Sequence, residues 1–327
     1  MAGPAPVLCL GEILIDLIGQ PAGPADAVEA FIPRVGGAPA NVAVALARLG
    51  IPAAFLGAVA DGDPFAPVLT ARLAAEGVDT RWVVAVPDGQ TRVAIVTGPA
   101  GRRDFAFYGH PPADTCLTPE HVGRALAQGA AALYLSSLPL TAEPACTAAL
   151  EAVAAARRAG IPVCFDPNPR PQQWGRATAG RGHCLAVLRA ADVVKVSRHD
   201  LAVLGIDEGD YRTLTAGARL RVLTDGAAGC TFWLDGVRGH QPAFPVASVD
   251  ETGAGDAFMA ALIARGVRSG FRYRAADVRF AAAAGALTTT RLGAIDALPT
   301  PAEIAALLDA PGRDRRDRPS GGIFSAG

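Results

Sequence analysis

Val-Asp-Glu-Thr-Gly-Ala-Gly-Asp-Ala-Phe-Met-Ala-Ala-Leu-Ile, residues 249–263, is the stretch around which this chain is organised. Two glycines on either side of Ala254 let the backbone turn tightly and come close to a ligand. Strong helix formers follow, with no breaker until Gly266, so a helix is expected to start at or near Gly255. The free N–H groups of such a start, with the positive end of the helix dipole, make a site for a phosphate or a developing anion. Asp256 beside that site is a poor counter-charge but a sensible general base. The combination points to phosphoryl transfer to a hydroxyl. Alone, Gly-Ala-Gly-Asp reads equally as a strand-to-helix turn with an acidic cap, and the rest of the chain has to decide.

Upstream, helices expected over 118–128, 143–159 and 180–190 alternate with strands over 131–135, 162–166, 192–196 and 219–224. Such alternation argues for a parallel sheet covered on both faces. Ligands of these sheets bind beyond the carboxyl ends of the strands. That rim would carry Asp166-Pro167-Asn168-Pro169-Arg170, Lys195-Val196-Ser197 and Thr224-Asp225-Gly226 together with the glycine turn. Near the start, 7–18 reads as one buried strand delivering Asp16 at its exit, then 53–60 as a strand and 64–76 as a helix. Residues 36–50 read as a loop feeding an Ala/Leu-rich helix that Gly50 ends. Backbone at Gly36 and Gly37 can approach a ligand unhindered, and Asn41 offers both donor and acceptor, though it is also an ordinary polar helix start.

Segments 81–86, 91–98 and 103–109 are short, β-branched or aromatic, and separated by Pro87-Asp88-Gly89 and Gly98-Pro99-Ala100-Gly101. They read as a small antiparallel unit lying over something, as a lid or an interface sheet. Phe107 and Tyr108 are neighbours on a strand, so only one of them can face a ligand. Helices over 275–290 and 301–309 close the pattern, and the Arg/Asp- and Gly-rich tail from Pro311 is expected to be disordered. Trp174 and Trp233 read as core.

Composition excludes several classes. Of 327 residues 50% are hydrophobic, yet no apolar run is long enough to span a membrane. Residues 5–18 are interrupted by Gly11, Glu12 and Asp16 and read as a strand, not a signal peptide. A net charge of −1 gives no reason to expect nucleic acid or an anionic membrane as partner. Cysteines 9, 116, 146, 164, 184 and 230 contain no C-x-x-C pair and read as reduced thiols of a cytoplasmic protein, and the histidines show no metal-ligand spacing. Lys195 is the only lysine, so neither a Walker A loop nor the protein-kinase lysine with its His-Arg-Asp loop is present. A nicotinamide-dependent oxidoreductase is disfavoured because Phe258 occupies the place of the third glycine and the turn lies late in the chain.

Taken together, these stretches resemble the ribokinase-like (pfkB) family of carbohydrate kinases, and within it the bacterial fructokinases, over about residues 7–309. The signatures are Gly36-Gly37-Ala38-Pro39-Ala40-Asn41 and Thr252-Gly253-Ala254-Gly255-Asp256. The fructokinase-like features are Gly-Glu-Ile-Leu-Ile-Asp at 11–16, Phe-Ala-Phe-Tyr at 105–108, Phe-Asp-Pro-Asn at 165–168 followed by Arg170, and Gly-Ala-Leu-Thr-Thr-Thr at 285–290.

The resemblance implies a ribokinase-like α/β sandwich over 1–310, its central, mostly parallel sheet flanked by helices. A small β-sheet lid, from segments of about 17–35 and 81–112, would be inserted in it, with 311–327 as tail. It implies an ATP-dependent sugar kinase, most similar to one that phosphorylates fructose at the 6-hydroxyl, with 2-keto-3-deoxygluconate kinase and ribokinase as alternatives. It further implies ATP and Mg²⁺, frequently K⁺, and a homodimer through the lid. By analogy Asp256 is the base, the amides of Gly253, Ala254, Gly255 and Asp256 form the anion hole, and Arg170 meets sugar or phosphate. Asp16, Gly36, Gly37, Asn41, Phe105 and Tyr108 fall at sugar-binding positions. Lys195, Ser197, Thr224, Gly226 and Gly229 fall at nucleotide-binding ones, and Asp250 and Thr252 near the monovalent cation. Three departures stand out: Glu251 before Thr252, Ser197-Arg198-His199-Asp200 where many members have Asn-x-x-Glu, and Ala283 near the adenine position. They are the only support for a non-catalytic sugar- or nucleotide-binding homologue, against which the intact Asp256 stands.

Overall fold

The computed structural model describes residues 4–98, 104–170, 172 and 179–310; the expectations for Trp174 and for the tail from 311 lie outside them. The first third of the chain forms β1 (Val7–Leu10), β2 (Leu14–Gln20), β3 (Ala30–Gly36), α1 (Ala38–Arg48), β4 (Ala53–Ala60), α2 (Phe65–Ala75), β5 (Asp79–Val86), β6 (Val93–Thr97) and β7 (Asp104–Tyr108). Then come α3 (Pro119–Leu126), β8 (Ala132–Leu135), α4 (Ala145–Arg158), β9 (Val163–Phe165), α5 (Ala179–Ala190), β10 (Val193–Ser197), α6 (Arg198–Leu204), α7 (Glu208–Leu214) and β11 (Leu220–Thr224). The last part holds β12 (Cys230–Leu234), β13 (Val237–Gln241), α8 (Ala254–Ser269), α9 (Ala275–Thr288) and α10 (Pro301–Asp309).

Nine strands make one sheet in the order β13-β12-β11-β10-β9-β8-β1-β4-β5, parallel from β11 to β5. Strands β1, β4 and β8 are buried at every position because both faces are covered. Alternate residues of β1 divide between two cores. Val7 and Cys9 face the layer of α1, α8 and α9, while Leu8 and Leu10 face that of α3, α4 and α5. A second, four-stranded sheet runs β3-β2-β6-β7.

Three expectations change. Residues 7–18 are not one strand: β1 lies in the large sheet and β2 in the small one, so Asp16 arrives on the small sheet and not at a strand exit. The chain turns between them at Gly11 (φ +144°), where any Cβ would sit 2.7 Å from Pro39 Cγ. Residues 81–86 are not part of the small antiparallel unit. They belong to β5, paired in parallel with β4 at the edge of the large sheet, and the other two strands of the small sheet are β2 and β3, with β2 joined to β6 in parallel. The β12–β13 hairpin was not expected, although Asp235-Gly236, at φ +50° and +80°, is a strong hairpin-turn signal.

The small sheet is rooted firmly. Arg92, just before β6, meets Asp114 of the large domain through two buried bonds of 2.7 and 2.8 Å. At the other root, Gly57 of β4 lies so close to the Gly11 carbonyl that a Cβ would be 2.4 Å away. We expect Gly57→Ala to cost roughly 1–3 kcal/mol through overpacking, read as a lowered denaturant midpoint; an unchanged midpoint would refute this close-approach argument.

Candidate active site

A cleft of about 340 Å³ opens between the small sheet and the carboxyl ends of the large sheet's strands, a size typical of small-molecule sites. Its floor is the start of α8. Gly253 takes φ +81° there, with Ala294 packed so near that a Cβ would be 3.0 Å from it. The N–H groups of Gly253, Gly255 and Asp256 have no acceptor among the described residues, as expected of a helix start. Ala254 departs from the expectation, because its N–H donates to the Glu251 carbonyl at 3.2 Å and belongs to the turn. Asp250 staples that turn: Oδ1 accepts from the Thr252 N–H at 3.1 Å and from its hydroxyl at 2.7 Å, and Oδ2 from the Gly293 N–H at 2.9 Å.

Asp256 lies in the first turn of α8 and is buried. Asn41, in the first turn of α1, donates from Nδ2 to Asp256 Oδ2 at 2.7 Å. Burial raises the Asp256 pKa above the usual carboxylate value, and the Asn41 hydrogen bond, Lys195 and Arg170 pull it back only in part. A buried carboxylate of raised pKa, oriented by a neutral amide, is a competent proton acceptor.

Asp16 projects from β2 into the cleft. Burial pushes its pKa up to about 7, with the Asp256 and Asp250 charges adding to the rise and Arg170 opposing it. Gly36 serves from behind: a Cβ there would sit 2.1 Å from Asp16 Oδ2, so the residue makes room for that carboxylate instead of lining the cleft. Gly37, at φ +110° and tight against the Glu12 carbonyl, does line it. Arg170 stacks over the Phe105 ring, 5.4 Å from its centroid, which brings a cation to the small sheet's side of the cleft.

Two buried groups complete the site. Lys195 Nζ pairs with Asp166 Oδ2 at 2.7 Å. Burial works against the ammonium, but the carboxylates of Asp166, Asp200 and Asp256 outweigh it and hold the Lys195 pKa above its ordinary value. The second group, Glu12, escaped the sequence reading. It stands just beyond β1 and accepts from the Ala38 N–H at 3.0 Å and the Ser136 hydroxyl at 3.1 Å. Burial pushes its pKa up to about 7. A carboxylate directly after a strand-ending glycine was the signal for it.

Tyr108 is a correction. It is 59% exposed and lies outside the cleft, whereas Phe105 and Phe107 line it, stacked at 6.2 Å between ring centroids. Residues 105 and 108 differ by an odd number along a strand and point to opposite faces. The nucleotide candidates Ser197, Thr224, Gly226 and Gly229 also lie off the cleft wall. Ser197 and Thr224 are register partners at the ends of β10 and β11, and the two glycines form the turn that follows. Ser197 Oγ accepts from the Asp200 N–H at 3.0 Å, capping α6. Among the described residues no group of three or more His, Cys, Asp or Glu side chains could hold a metal by itself.

The pattern that defines the pfkB family of carbohydrate kinases matches residues 5–301. The chain belongs to this family. Fructokinase-1 of Zea mays is 40% identical over 94% of this chain and 99% of its own length, and Fructokinase-1 of Oryza sativa subsp. japonica is 40% identical over 93% and 98%. A fructokinase from Xylella fastidiosa solved with bound ATP superimposes with a TM-score of 0.84 at 33% identity, covering 92% of this chain and 97% of that one. A double mutant of the Vibrio cholerae O395 fructokinase, solved with fructose, ADP and a potassium ion, gives 0.82 at 30% identity, covering 93% and 98%. The ribokinase-like fold, with its large mostly parallel sheet and separate small sheet, is thereby shown.

Two outcomes follow from the electrostatics. Removing the Asn41 donor in Asn41→Ala raises the Asp256 pKa further, so the acidic limb of the kcat/KM profile should move to higher pH; an unmoved limb would separate the two residues functionally. Glu12 and Asp16 are held above their ordinary values in the folded state. The stability they confer is therefore full below the unfolded carboxyl pKa and is lost as pH rises through about 7. The melting temperature of the ligand-free protein should drop between acidic and mildly alkaline buffer, and a rise over that interval would contradict the assignment.

Proposed function

We propose that this protein is an ATP-dependent fructokinase that phosphorylates fructose at the 6-hydroxyl. The observation that carries the reading is the Asn41–Asp256 hydrogen bond beside the open amides of α8, in a chain 40% identical to named fructokinases.

In this reading Asp16, Gly37, Asn41 and Phe105 hold the sugar, with the Phe107 ring beside Phe105 closing the apolar side of the cleft. Asp256 takes the proton as the sugar oxygen forms its bond to the γ-phosphorus of ATP. The bond from that phosphorus to the β-phosphate oxygen breaks, and its electron pair leaves with ADP. Charge on the transferring group is met by the N–H groups of Gly253, Gly255 and Asp256 and by Arg170. The small sheet keeps water, the competing acceptor, away from the phosphoryl group. Ser197, Thr224, Gly226 and Gly229 hold the rest of the nucleotide along the rim.

The donor set fits Mg²⁺, which needs only one or two carboxylates when substrate phosphates and waters complete its shell. Asp166 would hold it, since its Oδ1 is buried without a partner, and the ion would neutralise charge on the phosphates. Asp250 and Thr252 are assigned to a neighbouring K⁺, an ion bound in the Vibrio cholerae fructokinase. All six cysteines are free thiols, which suits the reducing cytoplasm. Among the described residues no helix is long and apolar enough to cross a membrane.

Asp256→Asn should keep the fold and lower turnover by ~10²–10⁴-fold, measured as ADP release with MgATP and fructose. Near-normal turnover would remove Asp256 from the role of base. The same assay on ribose, 2-keto-3-deoxygluconate and glucose tests the substrate, and faster turnover on any of these would displace fructose.

A further inference from the structure

Helix α1 begins without a cap of its own. Its N-cap residue is Gly37, which has no side chain to offer the free N–H groups of a helix start. No larger residue fits there, because a Cβ at 37 would lie 2.6 Å from the Glu12 carbonyl oxygen. The missing acceptor comes from Glu12 itself, 26 residues before Ala38, whose Oε1 accepts from the Ala38 N–H at 3.0 Å. The Ser136 hydroxyl, just beyond β8, donates to the other oxygen at 3.1 Å. Glu12 is buried among these partners at the wall of the cleft.

The N–H that Glu12 holds and the Gly37 carbonyl belong to one planar peptide group. That carbonyl accepts from the Asn41 N–H at 2.8 Å, closing the first turn of α1. Asn41 in turn donates from Nδ2 to Asp256 Oδ2 at 2.7 Å. Hydrogen bonds thus run without a gap from Ser136 through Glu12, the 37–38 peptide and Asn41 to Asp256. Asn41 Oδ1 is buried with no partner among the described residues, so the amide has no second fastening. Its place is set by the helix start behind it, and any shift of the 37–38 peptide is passed on to Asp256.

Resting on the kinase reading above, we propose that Glu12 is a positioning residue for the general base. It fixes the 37–38 peptide, and through that peptide and Asn41 it fixes the Asp256 carboxylate. The role calls for a hydrogen-bond acceptor at this point, not for a charge. Glu12 takes no part in making or breaking bonds and acts only through Asn41.

The test pairs a spectroscopic readout with turnover. Asn41 and Asn168 are the only asparagines in the chain, so ¹⁵N in the asparagine side-chain amide gives two NMR signals. The Asn41 signal is the one missing from Asn41→Ala. In Glu12→Ala it should move toward its position in Asp256→Ala, where the bond is absent; a stationary signal would overturn the proposal. If Glu12→Ala does not fold, Ser136→Ala, which frees one carboxylate oxygen, should move the signal the same way by less, and no movement there is equally decisive. In turnover, Glu12→Ala should lower kcat on fructose by ~10–10²-fold, as for a displaced catalytic group, with the Kd for MgADP changed by less than about threefold. Glu12→Gln keeps an oxygen for the Ala38 N–H and an amide for the Ser136 oxygen, so kcat should return to within about threefold of wild type; a Gln variant as slow as Ala would refute the acceptor role. In Asn41→Ala protein, adding Glu12→Ala should cost less than about threefold more, whereas losses that multiply would show that Glu12 does not act through Asn41. Wild-type protein that phosphorylates no sugar would remove the kinase reading while the Asn41 signal still reports on the linkage. Active wild type with equally active Glu12→Ala removes this inference alone.

Discussion

The hydrogen bond from Asn41 to Asp256, 2.7 Å long, joins two helix starts that are 215 residues apart in the chain. Both helices pack on the same face of the large sheet, and each begins after a glycine whose backbone lies where other residues are strained. Helix α1 starts where it does because Gly37 fits against the Glu12 carbonyl and Glu12 receives the Ala38 N–H. Helix α8 starts where it does because Asp250 staples the loop before it to Gly293. The site is the meeting of these starts, and the nine-stranded sheet is the platform that fixes their separation.

That meeting concentrates negative charge. Glu12, Asp16, Asp166, Asp250 and Asp256 line one cleft with Arg170 and Lys195 as its cations. In water such a group would stay ionised and apart. Here burial raises the pKa of several of its members, so holding these carboxylates together out of water costs the folded chain stability once they ionise. Sites that perform chemistry commonly sacrifice stability in this way.

How far the sequence could be read follows from the same physics. The parallel sheet was legible because alternating helix and strand patterns are local, and β4 and α2 fell within a residue of their expected limits. The glycine turns, Asn41, Asp256, Asp16 and Arg170 were legible because motif residues carry their chemistry with them. Sheet membership was not. Nothing in the composition of 79–86 distinguishes an edge strand of the large sheet from a strand of the small one, since pairing is decided by distant partners. Glu12 stayed hidden because a charged residue in an apolar run reads as an interruption until its partners at 38 and 136 are seen. Parity alone showed that Phe105 and Tyr108 could not both face the cleft, and only the fold decides that it is Phe105.

The small sheet also has a mechanical consequence. Its four strands come from two separate stretches, β2–β3 and β6–β7, and the pairing of β2 with β6 holds those stretches together. The chain therefore crosses between the sheets at residues 11–13, at Gly37, between β5 and β6, and after β7. A plate fastened by four straps cannot easily slide or twist over its base. By this connectivity its easiest motion is a swing about the line of fastenings, and the Arg92–Asp114 pair ties together two of the straps, the one before β6 and the one after β7. Motion of this kind carries Asp16, Phe105 and Phe107 as one rigid set, so their mutual spacing is preserved whether the cleft is wide or narrow.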